Sequence, residues 1–208
     1  MISVTESVYA TIKEKIVTCE LPPGAIIDQS ALIEELGVSK TPIREAINAL
    51  EMEGLLIVVP RRAVIVSSIS INEIGHIYTV RETLEPLIAR MATVEAEMEK
   101  LESYADIFRR EEPDYRLITR TDFEMHCYFA QKSGNPYFAR LMENVLSQNR
   151  RIVALGARIP DRLRGSNAEH LEVIERMMAR DAEGAEAAMR RHIASARNVA
   201  SIINTLVQ

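Results

Sequence analysis

The sequence predicts a mainly α protein. An N-terminal winged helix-turn-helix with a small β-hairpin wing is followed by an antiparallel all-α bundle of about six helices. Three observations carry this. Leu36-Gly37-Val38-Ser39-Lys40-Thr41-Pro42-Ile43-Arg44-Glu45-Ala46 reads as a tight turn running into an amphipathic helix. Two β-branched runs, 55–59 and 63–66, flank Pro60-Arg61-Arg62 as in a two-stranded hairpin. From Ser70 onward the pattern is helical, with no further strand signal.

The N-terminal elements follow in order. Val8, Ile12 and Ile16 recur at three-to-four spacing, so a first helix is expected from Val4 to Cys19. Gly24 to Asp28 is a short extended piece leading into a second helix at about 29–36. Gly37 supplies permissive backbone angles for the turn. Ser39 or Thr41 can cap the next helix, and Pro42 suits its first turn because the missing N–H costs nothing there. That helix runs to Glu53 and ends at Gly54, a good C-cap. Ile43, Ile47 and Leu50 point inward; Lys40, Thr41, Arg44 and Asn48 are left outside, and such side chains reach phosphates and base edges. The expected division is a DNA-binding domain over 1–66, a polar joint over 67–69 and a helical domain over 70–208.

The helical region opens on a capping box, Ser70-Ile71-Asn72-Glu73. Breaks are expected near Glu111-Glu112-Pro113, Gly134-Asn135-Pro136, Ile159-Pro160 and Asp181. Ser166-Asn167-Ala168-Glu169 reads as a second capping box. This gives about six helices between 70 and 206.

Composition bounds the partners. The 208 residues are 47% hydrophobic, enough for a core, and no run approaches the ~20 apolar residues of a membrane span. Residues 1–17 lack the pattern of a signal peptide. Cys19 and Cys127 lie far apart and form no disulfide framework, so reduced thiols and a cytoplasmic location are expected. Net charge is −5, and residues 1–69 hold six Lys/Arg against nine Asp/Glu. Global charge therefore argues against nucleic acid. The positive charge is local: Lys40 and Arg44 on the third helix, Arg61 and Arg62 in the wing, a patch small enough to focus on phosphates.

Four histidines occur in the chain. Asp122 and His126 stand four apart on one predicted helix, with Cβ atoms ~5–6 Å apart. His170 falls on the next helix but one and His192 on the last. Three helices can aim one carboxylate and three imidazoles at a common point, a set suited to a borderline divalent ion: zinc first, with nickel and manganese as alternatives. Spacing alone leaves this open against ordinary hydrogen-bonded histidines. His76 reads as a solvated helix residue, and Cys127, turned ~100° from His126, reads as core. Arg81 has two readings of equal weight: an i,i+4 salt bridge with Glu85, or a clamp for an effector carboxylate.

Val38-Ser39-Lys40-Thr41-Pro42-Ile43-Arg44-Glu45-Ala46, Leu50-Glu51-Met52-Glu53-Gly54-Leu55-Leu56, Leu21-Pro22-Pro23-Gly24 and the wing tip Pro60-Arg61-Arg62 resemble the GntR family of bacterial transcriptional regulators. Two positions depart from that pattern: Ala63, where the family usually has glycine after the basic pair, and Ser30, where many members have arginine. The resemblance implies DNA contacts from Ser39, Lys40, Thr41, Pro42, Arg44, Asn48, Arg61 and Arg62. Further on, Asp122-Phe123-Glu124-Met125-His126, Ser133-Gly134-Asn135-Pro136, Glu169-His170 and Met189-Arg190-Arg191-His192 resemble the all-helical effector (FCD) domain of the FadR-type subfamily. This implies that Asp122, His126, His170 and His192 ligate a metal.

The expectation is a cytoplasmic, homodimeric regulator that binds double-stranded inverted-repeat operator DNA, commonly as a repressor. It would sense a small carboxylate through a metal-containing domain, with no membrane involvement. The rival is a metal-dependent hydrolase or isomerase at the Asp/His site, with Glu124 or Glu169 as base. Against it, no nucleophile elbow, phosphate loop or His-Glu-x-x-His motif occurs.

Overall fold

Helix α1 (Val4–Val17) begins with a reciprocal cap: the Glu6 N–H donates to Ser3 Oγ and the Ser3 N–H donates to the Glu6 carboxylate. It stops short of the expected Cys19, because Cys19 takes a left-handed φ of +57° that no continuing helix can use. In this computed structural model the described residues are 3–110, 114–155 and 161–206. They divide into two units, Met1–Ser70 and Ile71–Gln208.

In the first unit, α2 (Gln29–Leu36) starts where Asp28 accepts from the Ser30 and Ala31 N–H groups. Gly37, at φ +64°, closes it and turns the chain into α3 (Lys40–Met52). Ser39 holds the N-cap position of α3 without a side-chain cap bond, and Gly54 (φ +74°) follows its end. Strands β1 (Leu56–Val59) and β2 (Ala63–Val66) pair antiparallel from Leu56↔Val66 to Val59↔Ala63. The extended piece before α2 joins them: the Ile27 N–H donates to the Val64 carbonyl (2.8 Å) and the Val66 N–H to the Ala25 carbonyl (2.9 Å). Ile12 and Ile16 of α1, Ile43, Ile47 and Leu50 of α3, and Leu55, Val64 and Val66 around the wing form one core. Each such buried aliphatic contributes roughly 1.5–3 kcal/mol, so the outward face of α3 is held by what its inward face buries.

The second unit is entirely helical among its described residues. It comprises α4 (Ile71–Glu95), α5 (Met98–Phe108), α6 (Tyr115–Lys132), α7 (Pro136–Leu155), α8 (Asp161–Met178) and α9 (Ala182–Leu206). Helix α9 lies along α4 and α8, α6 packs on α7 and α4, and α5 packs on α8. About six helices are expected and six are present among the described residues, but two boundaries differ. Ser166 to Glu169 do not open a helix; they lie inside α8. The boundary the sequence does not announce is Ala96-Glu97, where neither Gly nor Pro occurs. A long-range contact fixes it: the Glu97 N–H donates to Tyr128 Oη at 2.8 Å. Conversely, Pro86 sits within α4 without ending it. Gly134, at φ +72°, and Asp181, whose carboxylate accepts the Gly184 N–H, mark the expected breaks before α7 and α9. The breaks expected at Glu111-Glu112-Pro113 and Ile159-Pro160 lie outside the described residues.

Candidate nucleic-acid surface and metal centre

Along α3, Ser39, Lys40, Thr41, Arg44 and Asn48 are exposed while Ile43, Ala46, Ile47 and Leu50 are buried. Pro42 is the exception to the expected contact set. It is buried beside Ile43, so its ring shapes the first turn from inside rather than meeting a partner. Arg61 and Arg62 are exposed at the wing tip. There the Arg62 N–H donates to the Val59 carbonyl (3.0 Å), Pro60 is second in the turn and Arg61 is third with φ +59°. That is the type II pattern, which usually wants glycine third. A side chain in that conformation costs about 1–2 kcal/mol, a strain carried by a cation at the most projecting point of the hairpin.

The six cations of this unit fall into two groups. Lys13 is bonded to Glu53 (2.7 Å), and Lys15 to Glu20 (2.7 Å) and Glu35 (2.8 Å). Among the described residues, Lys40, Arg44, Arg61 and Arg62 enter no ion pair. The net negative unit thus keeps its unneutralised positive charge on α3 and the wing, the distribution that attracts a polyanion despite the overall sign.

In the helical unit, α6 carries Asp122 and His126, α8 carries His170 and α9 carries His192. One ligand atom from each of the four lies within 4.8 Å of every other. The imidazoles are at most 3% exposed at their side chains and Asp122 is 21% exposed, so the cluster meets solvent on the Asp122 side. His170 Nε2 is 2.9 Å from Asp122 Oδ1 and 3.1 Å from His192 Nε2, and His126 Nε2 is 3.7 Å from Asp122 Oδ1. His192 Nδ1 is 3.0 Å from Glu169 Oε2, and His126 Nδ1 lies against Glu85 Oε2. A carboxylate at Nδ1 keeps the proton there and leaves the lone pair on Nε2. A proton on His170 Nε2 would satisfy Asp122 and His192 alone. It would leave the buried His126 Nε2 without a hydrogen-bond partner, as it stands here. One cation among the four satisfies all of them, so the donor set fits a divalent ion.

The electrostatics agree. Burial alone would raise the Asp122 carboxyl, but the His170 hydrogen bond and the Arg81 charge hold it well below the usual carboxylate range. Burial pushes the His192 imidazole well below its ordinary value, with His170 and His126 adding to the effect. A carboxylate and a neutral imidazole are the states that bind metal.

Arg81 on α4 is buried, and its Nε donates to Glu85 Oε1 at 2.5 Å, so the salt-bridge reading describes a contact that is present. Burial opposes ionisation of Glu85 as well, yet the Arg81 charge and the contact with His126 bring it down to about 2. Glu85 is the residue the sequence does not assign to this cluster, since it reads only as the i+4 partner of Arg81; Glu169, expected as a helix cap and in the rival reading as a base, lies against His192. Glu124 pairs with Arg120 (2.7 Å) on an exposed face. His76 is exposed. Cys127 is half-buried and lines a separate cleft of about 470 Å³ with Tyr104, Tyr128 and Arg140.

Comparison with known proteins follows the same two units. The family described as "Bacterial regulatory proteins, gntR family" matches residues 4–66, and "FCD domain" matches residues 76–195. The HTH-type transcriptional regulator YdhC of Bacillus subtilis is 29% identical over 144 residues, 66% of this chain; the chain spans 64% of YdhC. The HTH-type transcriptional repressor RspR of Escherichia coli is 24% identical over 201 residues, covering 91% of this chain and 86% of RspR. The solved structure of E. coli McbR/YncC shares the fold, with a TM-score of 0.83 at 21% identity over the whole of both chains. YdhC and RspR are named as an HTH-type transcriptional regulator and an HTH-type transcriptional repressor.

Proposed function

The chain belongs to the gntR family of bacterial regulatory proteins and carries an FCD domain, and from that premise we propose a ligand-responsive regulator, a repressor in its commoner mode, acting in the cytoplasm on an inverted-repeat operator. GntR regulators bind DNA and are generally dimeric, and the FCD domain is typically metal-binding. Among the described residues no helix is long and apolar enough to cross a membrane. On this reading Ser39, Lys40, Thr41, Arg44 and Asn48 face the major groove and Arg61 and Arg62 the backbone or minor groove. The observation that carries the sensing half is the convergence of Asp122, His126, His170 and His192 from three helices.

Those four residues would hold one divalent ion, zinc first by donor type and nickel or manganese as alternatives. A divalent ion there supplies a positive charge with room for an anionic oxygen. Asp122 contributes one negative charge and the three imidazoles none, so a small carboxylate effector fits the balance. Arg81 has a planar fork with more than one N–H edge. Its Nε serves Glu85, and its remaining N–H groups are the proposed hold for the far end of the effector. Binding must favour one arrangement of the DNA heads, since a ligand with equal affinity for both shifts nothing. Thermal shift with hydroxy acids, keto acids, dicarboxylates and sugar acids, with and without stripped metal, is the test. A carboxylate should raise the melting temperature only when metal is present. A neutral or cationic best binder, or carboxylate binding indifferent to metal, would refute the scheme.

The proposed state is a homodimer, since one α3 reads only a short half-site and paired heads double the contacts on a palindrome. Light scattering at micromolar concentration should return twice the chain mass. A monomer both alone and on DNA would contradict it.

A further inference from the structure

We infer that Glu85 is a positioning residue for the metal ligand His126: its two carboxylate oxygens fix the His126 ring and tie it to Arg81. The inference rests on the metal reading given above. Glu85 Oε1 accepts from Arg81 Nε at 2.5 Å and Oε2 lies against His126 Nδ1. All three side chains are at most 3% exposed. Each oxygen of one buried carboxylate therefore lies against its own group: Oε1 is hydrogen-bonded to a cation on α4, and Oε2 is in close ion-pair contact with an imidazole on α6 without hydrogen-bond geometry.

A neutral imidazole has one lone pair, and the group at one nitrogen decides which nitrogen carries it. Glu85 at Nδ1 leaves the His126 lone pair on Nε2, the atom 3.7 Å from Asp122. Glu169 does the same for His192 at 3.0 Å. His170 differs: among the described residues no carboxylate pairs with its Nδ1, and its ring lies against Phe108, centroids 4.6 Å apart. Two of the three imidazoles are thus oriented by carboxylates and the third by packing. The two carboxylates are also unlike. Glu169 is about one-third exposed (32%), whereas Glu85 is enclosed and its charge is matched by Arg81.

That matching predicts effects of opposite sign. Without Glu85, the Arg81 charge faces the ion uncompensated and His126 loses its orientation, so metal binding weakens. Without Arg81, the Glu85 charge remains at His126 and metal binding holds or tightens. A role in packing alone would weaken both variants.

The test uses the full chain, stripped of metal and titrated with Co(II) alone, with affinity read by chelator competition and coordination by visible absorption. Glu85→Gln, whose single amide oxygen cannot serve both Arg81 and His126, should lose roughly 10–100-fold in Co(II) affinity and shift the absorption bands. Glu85→Asp should recover part of that loss. Arg81→Gln should bind Co(II) as tightly as the wild type or tighter. Circular dichroism of each metal-free variant monitors the fold; if Glu85→Gln loses it, Glu85→Asp against Arg81→Gln carries the same contrast. A folded Glu85→Gln that matches the wild type in affinity and spectrum, or equal weakening in the Arg81 and Glu85 variants, overturns the inference. A wild-type chain that takes up no cobalt fails differently, because it removes the metal reading itself.

Discussion

Arg44→Ala should abolish specific operator binding while leaving the fold intact. Arg44 is exposed, one turn into α3, on the face opposite Ile43, Ile47 and Leu50. Exposed substitutions of this kind change stability by no more than about 0.5 kcal/mol. The guanidinium matches the O6 and N7 acceptors of guanine in the major groove, worth about 1–3 kcal/mol of discrimination. With a head in each half-site the loss counts twice, so specific affinity should drop roughly 25-fold at the least and by more than 10⁴-fold at the most. Lys40→Ala should behave differently. As a phosphate contact it should weaken all sequences alike and reduce the salt slope by about one per head. Gel shifts against operator and scrambled DNA across a salt series separate the two. Operator affinity unchanged in Arg44→Ala would remove α3 as the reading element.

What could be read ahead of the structure follows from the range of the forces involved. Helix α3 was legible because its signals are local: a glycine turn, a cap position and aliphatics at helical spacing. The same local logic sets Pro42 in the first turn, where it is found; its DNA contact is implied only by the family resemblance, and the ring is buried. Asp122 and His126 were legible as one face of α6, since four residues close a helical turn. That His170 and His192 meet them depends on how α8 and α9 pack; helices of one bundle make it possible, spacing leaves it open, and family likeness favours it. The boundary at Ala96-Glu97 carried no local mark because its donor–acceptor bond reaches Tyr128 on another helix. Glu169 has the spacing of a cap, three residues after a serine, but also adjoins His170 in sequence, and it is the second position that counts: its carboxylate is engaged by His192.

Loss of the ion should be the largest single change in the stability of the helical unit. Asp122, His126, His170 and His192 come from three helices, α6, α8 and α9, on which Met125, Val173, Ile174 and Met189 are buried. Binding only to the folded chain stabilises it by about 4 kcal/mol at a thousandfold excess over the dissociation constant. For a unit of this size that is a shift in melting temperature of roughly 10 °C. The wild type should therefore melt that much lower after chelation and recover on adding back Zn(II). His170→Ala and His192→Ala should each melt near the chelated wild type and be indifferent to chelator, because removing one inner donor removes the ion's contribution. Asp122→Ala should lose metal too, and for a second reason: the ionised carboxylate is the only negative charge among the four donors. Elemental analysis after gentle purification gives the stoichiometry, expected at one ion per chain. Metal content that survives replacement of both His170 and His192 would place the ion elsewhere. A melting temperature insensitive to chelation in a metal-loaded wild type would mean that the four side chains hold the three helices together without it.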